Sequence, residues 1–120
     1  MKTVLVVDDE PAIREVMADV FRDHGFGVVL AWNGRSMLEI LESDRPDLVI
    51  LDMMMPDVDG PGAFRAMQAR PHLRGIPVVM MSAAQGPGGL ENEIAGFLPK
   101  PFDLDHLMDV VIGAIGPPSP

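Results

Sequence analysis

Four short runs are rich in β-branched residues and apolar almost without a break: "TVLVVD" (3–8), "GVVLA" (27–31), "DLVILD" (47–52) and "IPVVMMS" (76–82). Continuous apolarity, as opposed to alternation, marks strands covered on both faces, the habit of a parallel sheet. "GFLP" (96–99) is a weaker fifth run, and Pro77 fits only near the first residues of its strand. Helical patterns separate these runs. Ile13, Val16, Met17, Val20 and Phe21 recur at helical spacing, with Pro11 suited to the first turn and Gly25 to the end. Met37, Ile40 and Leu41 mark a second helix begun at Asn33. Ala63, Phe64 and Met67 mark a third ending near Pro71, and Leu104, Leu107, Met108, Val111 and Ile115 a last one. Strands alternating with helices predict an α/β fold with right-handed crossovers and helices on both faces of the sheet.

The bulk composition narrows the function. A hydrophobic fraction of 48% in 120 residues suits one globular domain with a real core. Eighteen Asp and Glu against nine Lys and Arg leave a formal charge of −9, which repels phosphate backbones and argues against nucleic-acid binding. The absence of cysteine removes disulfides and thiolate metal sites. No apolar run approaches the roughly 18 residues that span a bilayer, and the N-terminus turns acidic too soon for a signal peptide, so a soluble cytoplasmic domain is expected.

In such sheets the binding crevice lies beyond the carboxyl ends of the strands. The first run ends on Asp8, Asp9 and Glu10, the third on Asp52, the fourth on Ser82, and the fifth leads into Lys100. Taken singly, each is an ordinary helix-start acid, turn hydroxyl or surface charge. Together they gather carboxylates, a hydroxyl and an ammonium at one edge. Carboxylates about 5 Å apart at an effective dielectric near 20 repel by roughly 3 kcal/mol a pair. Such a cluster wants a cation, and hard oxygen donors without His or Cys suit Mg²⁺ or Mn²⁺. With that ion and Lys100, the negative charge of Asp8, Asp9 and Asp52 is balanced and a dianionic phosphoryl group can enter. Asp52 is then placed to act as a carboxylate nucleophile, with Ser82 and Lys100 contacting the transferring oxygens.

In order and at fitting spacing, "VLVVDDE", "LDMMMPDVDG", "MMSA" and "LPKPF" resemble the receiver domain of bacterial two-component response regulators, over essentially the whole chain. The resemblance implies a flavodoxin-like, doubly wound five-stranded parallel sheet of order 2-1-3-4-5. It implies Asp52 as phospho-acceptor, Asp8 and Asp9 as metal-site acids with the Met54 main-chain carbonyl beside them, Ser82 as switch hydroxyl and Lys100 as phosphate partner. Phe97 stands at the family's switch-aromatic position, and Lys100-Pro101 is expected to be cis. The donor is then a sensor histidine kinase or His-phosphotransfer protein, and the output a downstream effector protein or domain. Such a chain assists its own phosphorylation and hydrolysis but is not a turnover enzyme. Residues 1–116 are read as the receiver and 117–120 as a Pro-rich tail or linker stub.

Other readings compete. An aspartate-nucleophile phosphatase wants a second acid two residues beyond the nucleophile, where this chain has Met54. A flavin binder would not place Asp-Asp-Glu after its first strand. A docking module regulated without phosphorylation has no need of all five polar site residues. The chain also departs from the family. Between Ser82 and Lys100 it is roughly one helical turn short, and Gly86, Pro87, Gly88 and Gly89 are poor helix formers. A fourth helix that is shortened or irregular is therefore expected across 85–95. Met54 and Ala84 flank the acceptor where water would approach. His24, His72 and His106 show no metal-ligand spacing, and Trp32 reads as a packing or surface residue.

Overall fold

The computed structural model describes residues 1–56, 58–83 and 86–118. Ala84, expected beside the acceptor, and the last two residues of the tail lie outside them.

Five strands form one parallel sheet: β1 (Thr3–Val7), β2 (Gly27–Ala31), β3 (Leu48–Asp52), β4 (Val78–Ser82) and β5 (Gly96–Pro99), in the order β2-β1-β3-β4-β5. The expected doubly wound topology is present. Strand order reverses between β1 and β3, which are direct neighbours in register Val7↔Leu51. The sequence boundaries run long at three strands: β1 and β3 are one residue shorter than their apolar runs, and β4 is two residues shorter.

The helices are α1 (Pro11–Asp23), α2 (Gly34–Ser43), α3 (Gly60–Gln68) and α4 (Leu104–Ile115), with a 3₁₀ turn at Pro71–Leu73. Each starts where local chemistry favours it. Pro11 occupies the first turn of α1. Asn33 caps α2 in a reciprocal box with Ser36, and Asp59 and Asp103 accept from the Gly62 and His106 amides at α3 and α4. Gly25 takes φ +91 just past the end of α1.

Alternate strand residues feed two cores, one on each face of the sheet. Val4, Val6, Ile50 and Met81 pack with Met17 and Phe21 of α1 and with Leu107 and Val111 of α4. Leu5, Val7, Leu51 and Met80 pack with Met37 of α2 and with Phe64 and Met67 of α3. Val16, placed on the α1 stripe by its spacing, lies at the edge of that face and is exposed.

Among the described residues between β4 and β5 no helix forms. What remains is two successive turns: the Leu90 amide donates to the Pro87 carbonyl at 3.3 Å, and the Glu93 and Ile94 amides both donate to the Leu90 carbonyl. Gly86, Gly88 and Gly89 all carry positive φ, a conformation no α-helix contains. Leu90 is buried and Ile94 half-buried over the β4 side of the sheet, so two side chains cover what a full helix would. The expected irregularity is thus a pair of turns held down by two apolar residues.

Candidate functional site

The carboxyl ends of β1, β3 and β4 and the turn after β5 converge on one crevice. Asp8 follows β1 directly, and its amide continues the ladder by donating to the Ala31 carbonyl at 3.2 Å. Its side chain is fully buried. Asp52 is the last residue of β3, 3% exposed, in register with Met81. Ser82 closes β4, also buried, and its carbonyl accepts from the Lys100 amide at 2.8 Å. The Lys100-Pro101 peptide is cis, as the resemblance implied.

Lys100 ties these ends together. Its Nζ lies 3.1 Å from Asp8 Oδ2 and 3.4 Å from Asp52 Oδ2. The remaining oxygens are also engaged: Asp8 Oδ1 accepts from the Glu10 amide at 2.8 Å and Asp52 Oδ1 from the Met54 amide at 3.1 Å. Burial pushes the Asp52 carboxyl above the ordinary carboxylate value, and the charge of Asp8 adds to this. The Met54 amide and Lys100 pull it down without cancelling the rise. For Lys100, burial alone would lower the ammonium. The hydrogen bond and charge of Asp8, joined by those of Asp52, outweigh it and hold the group above its usual value. One ammonium therefore does not neutralise this crevice, and a second cation is electrostatically welcome.

Asp9 is exposed at the crevice mouth. Asp8, Asp9 and Glu10 each offer a carboxylate oxygen, all within 4.8 Å of one another. These donors are all hard oxygens, a set whose chemistry suits a divalent ion such as Mg²⁺. Phe97 sits half-buried on β5 opposite Met80, packed against the α2 and α3 core and away from the carboxylates.

Glu10, which follows Asp8 and Asp9 at the end of the first run, keeps its carboxylate in the acidic group. One residue in this region was not anticipated: Arg14 donates from its guanidinium to the Asp8 carbonyl at 2.6 Å. That contact was in principle readable, since helical side chains lean toward the N-terminus and cover the preceding turn.

Strand order, reversal point and this lysine-bridged acidic crevice define a doubly wound α/β protein with its site at the switch point. The family model of the response regulator receiver domain matches residues 4–112, and the chain belongs to that family. It is 38% identical over 109 residues to the response regulator MprA of Mycolicibacterium vanbaalenii, covering 88% of this chain and 46% of that protein. The chain thus spans about half the length of the curated relatives it matches. Among solved structures it resembles chemotaxis protein CheY4 of Vibrio cholerae, at 28% identity and TM-score 0.88 over 95% of this chain and 98% of that one. It also resembles the receiver domain of sensor histidine kinase PA1611 from Pseudomonas aeruginosa PAO1, at 28% identity and TM-score 0.86 over 96% and 94%. That structure has a magnesium ion coordinated in its active site cleft. Among the described residues no helix is long and apolar enough to cross a membrane.

Proposed function

We propose that the chain is a phosphorylation-dependent signalling receiver whose acceptor is Asp52. The observation that carries this reading is the arrangement at the strand ends. A buried carboxylate is held at the tip of β3, and one ammonium bridges it to the buried acid of β1. Asp8, Asp9, Asp52 and the Met54 carbonyl would hold Mg²⁺ or Mn²⁺, which when bound neutralises charge on the phosphoryl oxygens.

The chain's own residues do the rest. An Asp52 oxygen bonds to phosphorus as the bond from phosphorus to the donor imidazole, protonated on its other ring nitrogen, breaks, leaving an acyl phosphate on Asp52 and a neutral histidine on the donor. Lys100, already between Asp8 and Asp52, pairs with a phosphoryl oxygen while retaining Asp8. Ser82 supplies a hydroxyl at the end of β4, so occupancy of the crevice acts on β4 and, through the Lys100 amide, on the turn after β5. Phe97, which packs against the same core as Leu90 and Ile94, is the switch aromatic in this reading. The donor is a sensor histidine kinase or His-phosphotransfer protein in the cytoplasm, and the recipient of the signal is an effector protein or domain. Residues 1–116 form the receiver, and 117–120 its tail. With Met54 two residues beyond the nucleophile, no second acid stands there for turnover hydrolysis of a free substrate.

Incubation with acetyl phosphate and Mg²⁺ should add one phosphoryl mass to the intact chain. Asp52→Ala should abolish it and Lys100→Ala should reduce it at least tenfold. A label that survives Asp52→Ala rules out this acceptor. A wild-type chain that takes no label favours a docking module regulated in some other way.

A further inference from the structure

Three consecutive methionines follow the acceptor strand in three different environments. Met53 is half-buried on the α2 and α3 core, Met55 is buried, and Met54 is 63% exposed. Of the ten methionines in the chain, seven are buried in the two cores, and only the terminal Met1 and Met54 are exposed. Met54 is also the residue whose amide touches Asp52 Oδ1 at 3.1 Å. An apolar thioether left in water, on the residue whose backbone amide bonds the acceptor carboxylate, contributes nothing to the core.

We propose that Met54 is a reversible oxidation site through which peroxides act on the acyl phosphate at Asp52; the second half of this statement rests on the acceptor reading above. In the modification, a sulfur lone pair of Met54 attacks one oxygen of a hydroperoxide. The S–O bond forms as the O–O bond breaks, the proton of the new S–OH group passes to the departing hydroxide (an alkoxide for an organic hydroperoxide), which leaves as water or alcohol, and sulfur is oxidised by two electrons. The product is a methionine sulfoxide, polar and a strong acceptor where the thioether is neither. Buried thioethers are shielded from the oxidant, so exposure supplies the selectivity. In the reduced protein the Met54 side chain offers an approaching water no hydrogen bond worth the name. The sulfoxide oxygen accepts one and orients that water beside the phosphoryl group. One such bond corresponds to a roughly fivefold shorter acyl-phosphate half-life, about 1 kcal/mol of barrier.

The test treats the full chain with dilute hydrogen peroxide and maps added oxygen by peptide mass spectrometry. The phosphoryl half-life is then measured before treatment, after it, and after methionine sulfoxide reductase. Met54 should gain oxygen well before Met17, Met80 or Met81. The half-life should fall about fivefold and recover on reduction, Met54→Leu should not respond to peroxide, and Met54→Gln should be short-lived without it. Core methionines oxidising as fast as Met54, or an unchanged half-life at full Met54 oxidation, overturns the proposal. If the untreated chain takes no phosphoryl group, the acceptor reading falls instead, and the peptide map alone then decides whether Met54 is the oxidation site.

Discussion

Asp52 is held where solvation is poor and a like charge is close, and its raised pKa registers that cost. The sign of its pH dependence follows. The folded chain holds the Asp52 proton more tightly than the unfolded chain, so the penalty is absent below the ordinary carboxylate value. It sets in as pH rises through the folded pKa, and it is complete above it. Lys100 acts oppositely: its contribution is fully present below the ordinary lysine value and is lost as pH rises through the raised one. In metal-free buffer, Asp52→Asn should therefore be more stable than wild type at neutral pH, because Asp8 still pairs with Lys100 at 3.1 Å. The advantage should shrink as pH falls into the carboxylate range. Urea titrations from pH 4 to 7.5 would measure it, and a variant destabilised throughout would show that Asp52 is net favourable in the empty crevice. A second test concerns Gly60. A Cβ there would collide with the Asp52 carbonyl oxygen and stand 2.5 Å from the Met53 Cα, both backbone atoms that cannot step aside. Gly60→Ala should cost about 3 kcal/mol and displace the acceptor loop, read as a lower urea midpoint together with weakened labelling of Asp52.

Among the elements, what the sequence disclosed depended on how local the deciding physics was. Continuous apolar runs identified β1, β3 and β4 because parallel strands buried on both faces have no alternative composition. The strand-end rule puts Asp8, Asp52, Ser82 and Lys100 at one edge of the sheet, where the fold brings them together. The weak helix formers at 86–89 pointed to a shortened or irregular helix between β4 and β5; the fold goes further, with no helix among the described residues there, because three of those residues carry positive φ. Contacts between distant elements were not legible: the Lys2 ammonium donating to the Ile115 carbonyl at the end of α4, and Arg45 reaching the His72 carbonyl, depend on the finished fold. Nor did an apolar stripe reveal that Val16 would lie beyond the covered face. The turns that replace the helix make their own case for backbone over space. Gly89 has φ +87 and nothing within 4 Å of an added Cβ, so steric room does not oppose substitution. Alanine is the better helix former, yet no helix exists there to benefit. Gly89→Ala should thus destabilise by about 1 kcal/mol, the cost of left-handed backbone for an L-residue. Thermal denaturation would detect it, and a stabilised variant would indicate that the segment has gone helical. At the other end of the sheet, Ser36 accepts from the Trp32 and Asn33 amides at 3.0 and 3.1 Å. Ser36→Ala removes both bonds and should cost about 1 kcal/mol.

For the molecule as a whole, a divalent ion held as proposed would be thermodynamically linked to the fold. The carboxylates of Asp8, Asp9, Glu10 and Asp52 come from β1, β3 and the turn into α1, and in the unfolded chain β1 and β3 are separated by some forty residues. The folded state alone therefore assembles the site, and any ion that binds it stabilises the fold by mass action. At a hundredfold excess over Kd the gain is about 2.7 kcal/mol. For 120 residues that corresponds to a rise in Tm of about 10 °C. Net charge sharpens the expectation, because at −9 the folded chain repels itself and general screening also stabilises it somewhat. The measurement must therefore separate site binding from screening. Magnesium chloride should raise Tm far more than sodium chloride of equal ionic strength, and chelation should reverse the rise. Asp8→Asn and Asp52→Asn should each remove most of the difference, whereas Asp23→Asn, at the far end of α1, should leave it intact. Equal responses to the two salts, or an undiminished magnesium response in Asp8→Asn, would show that the acidic edge is a solubility surface and that no ion is held by the ends of β1 and β3.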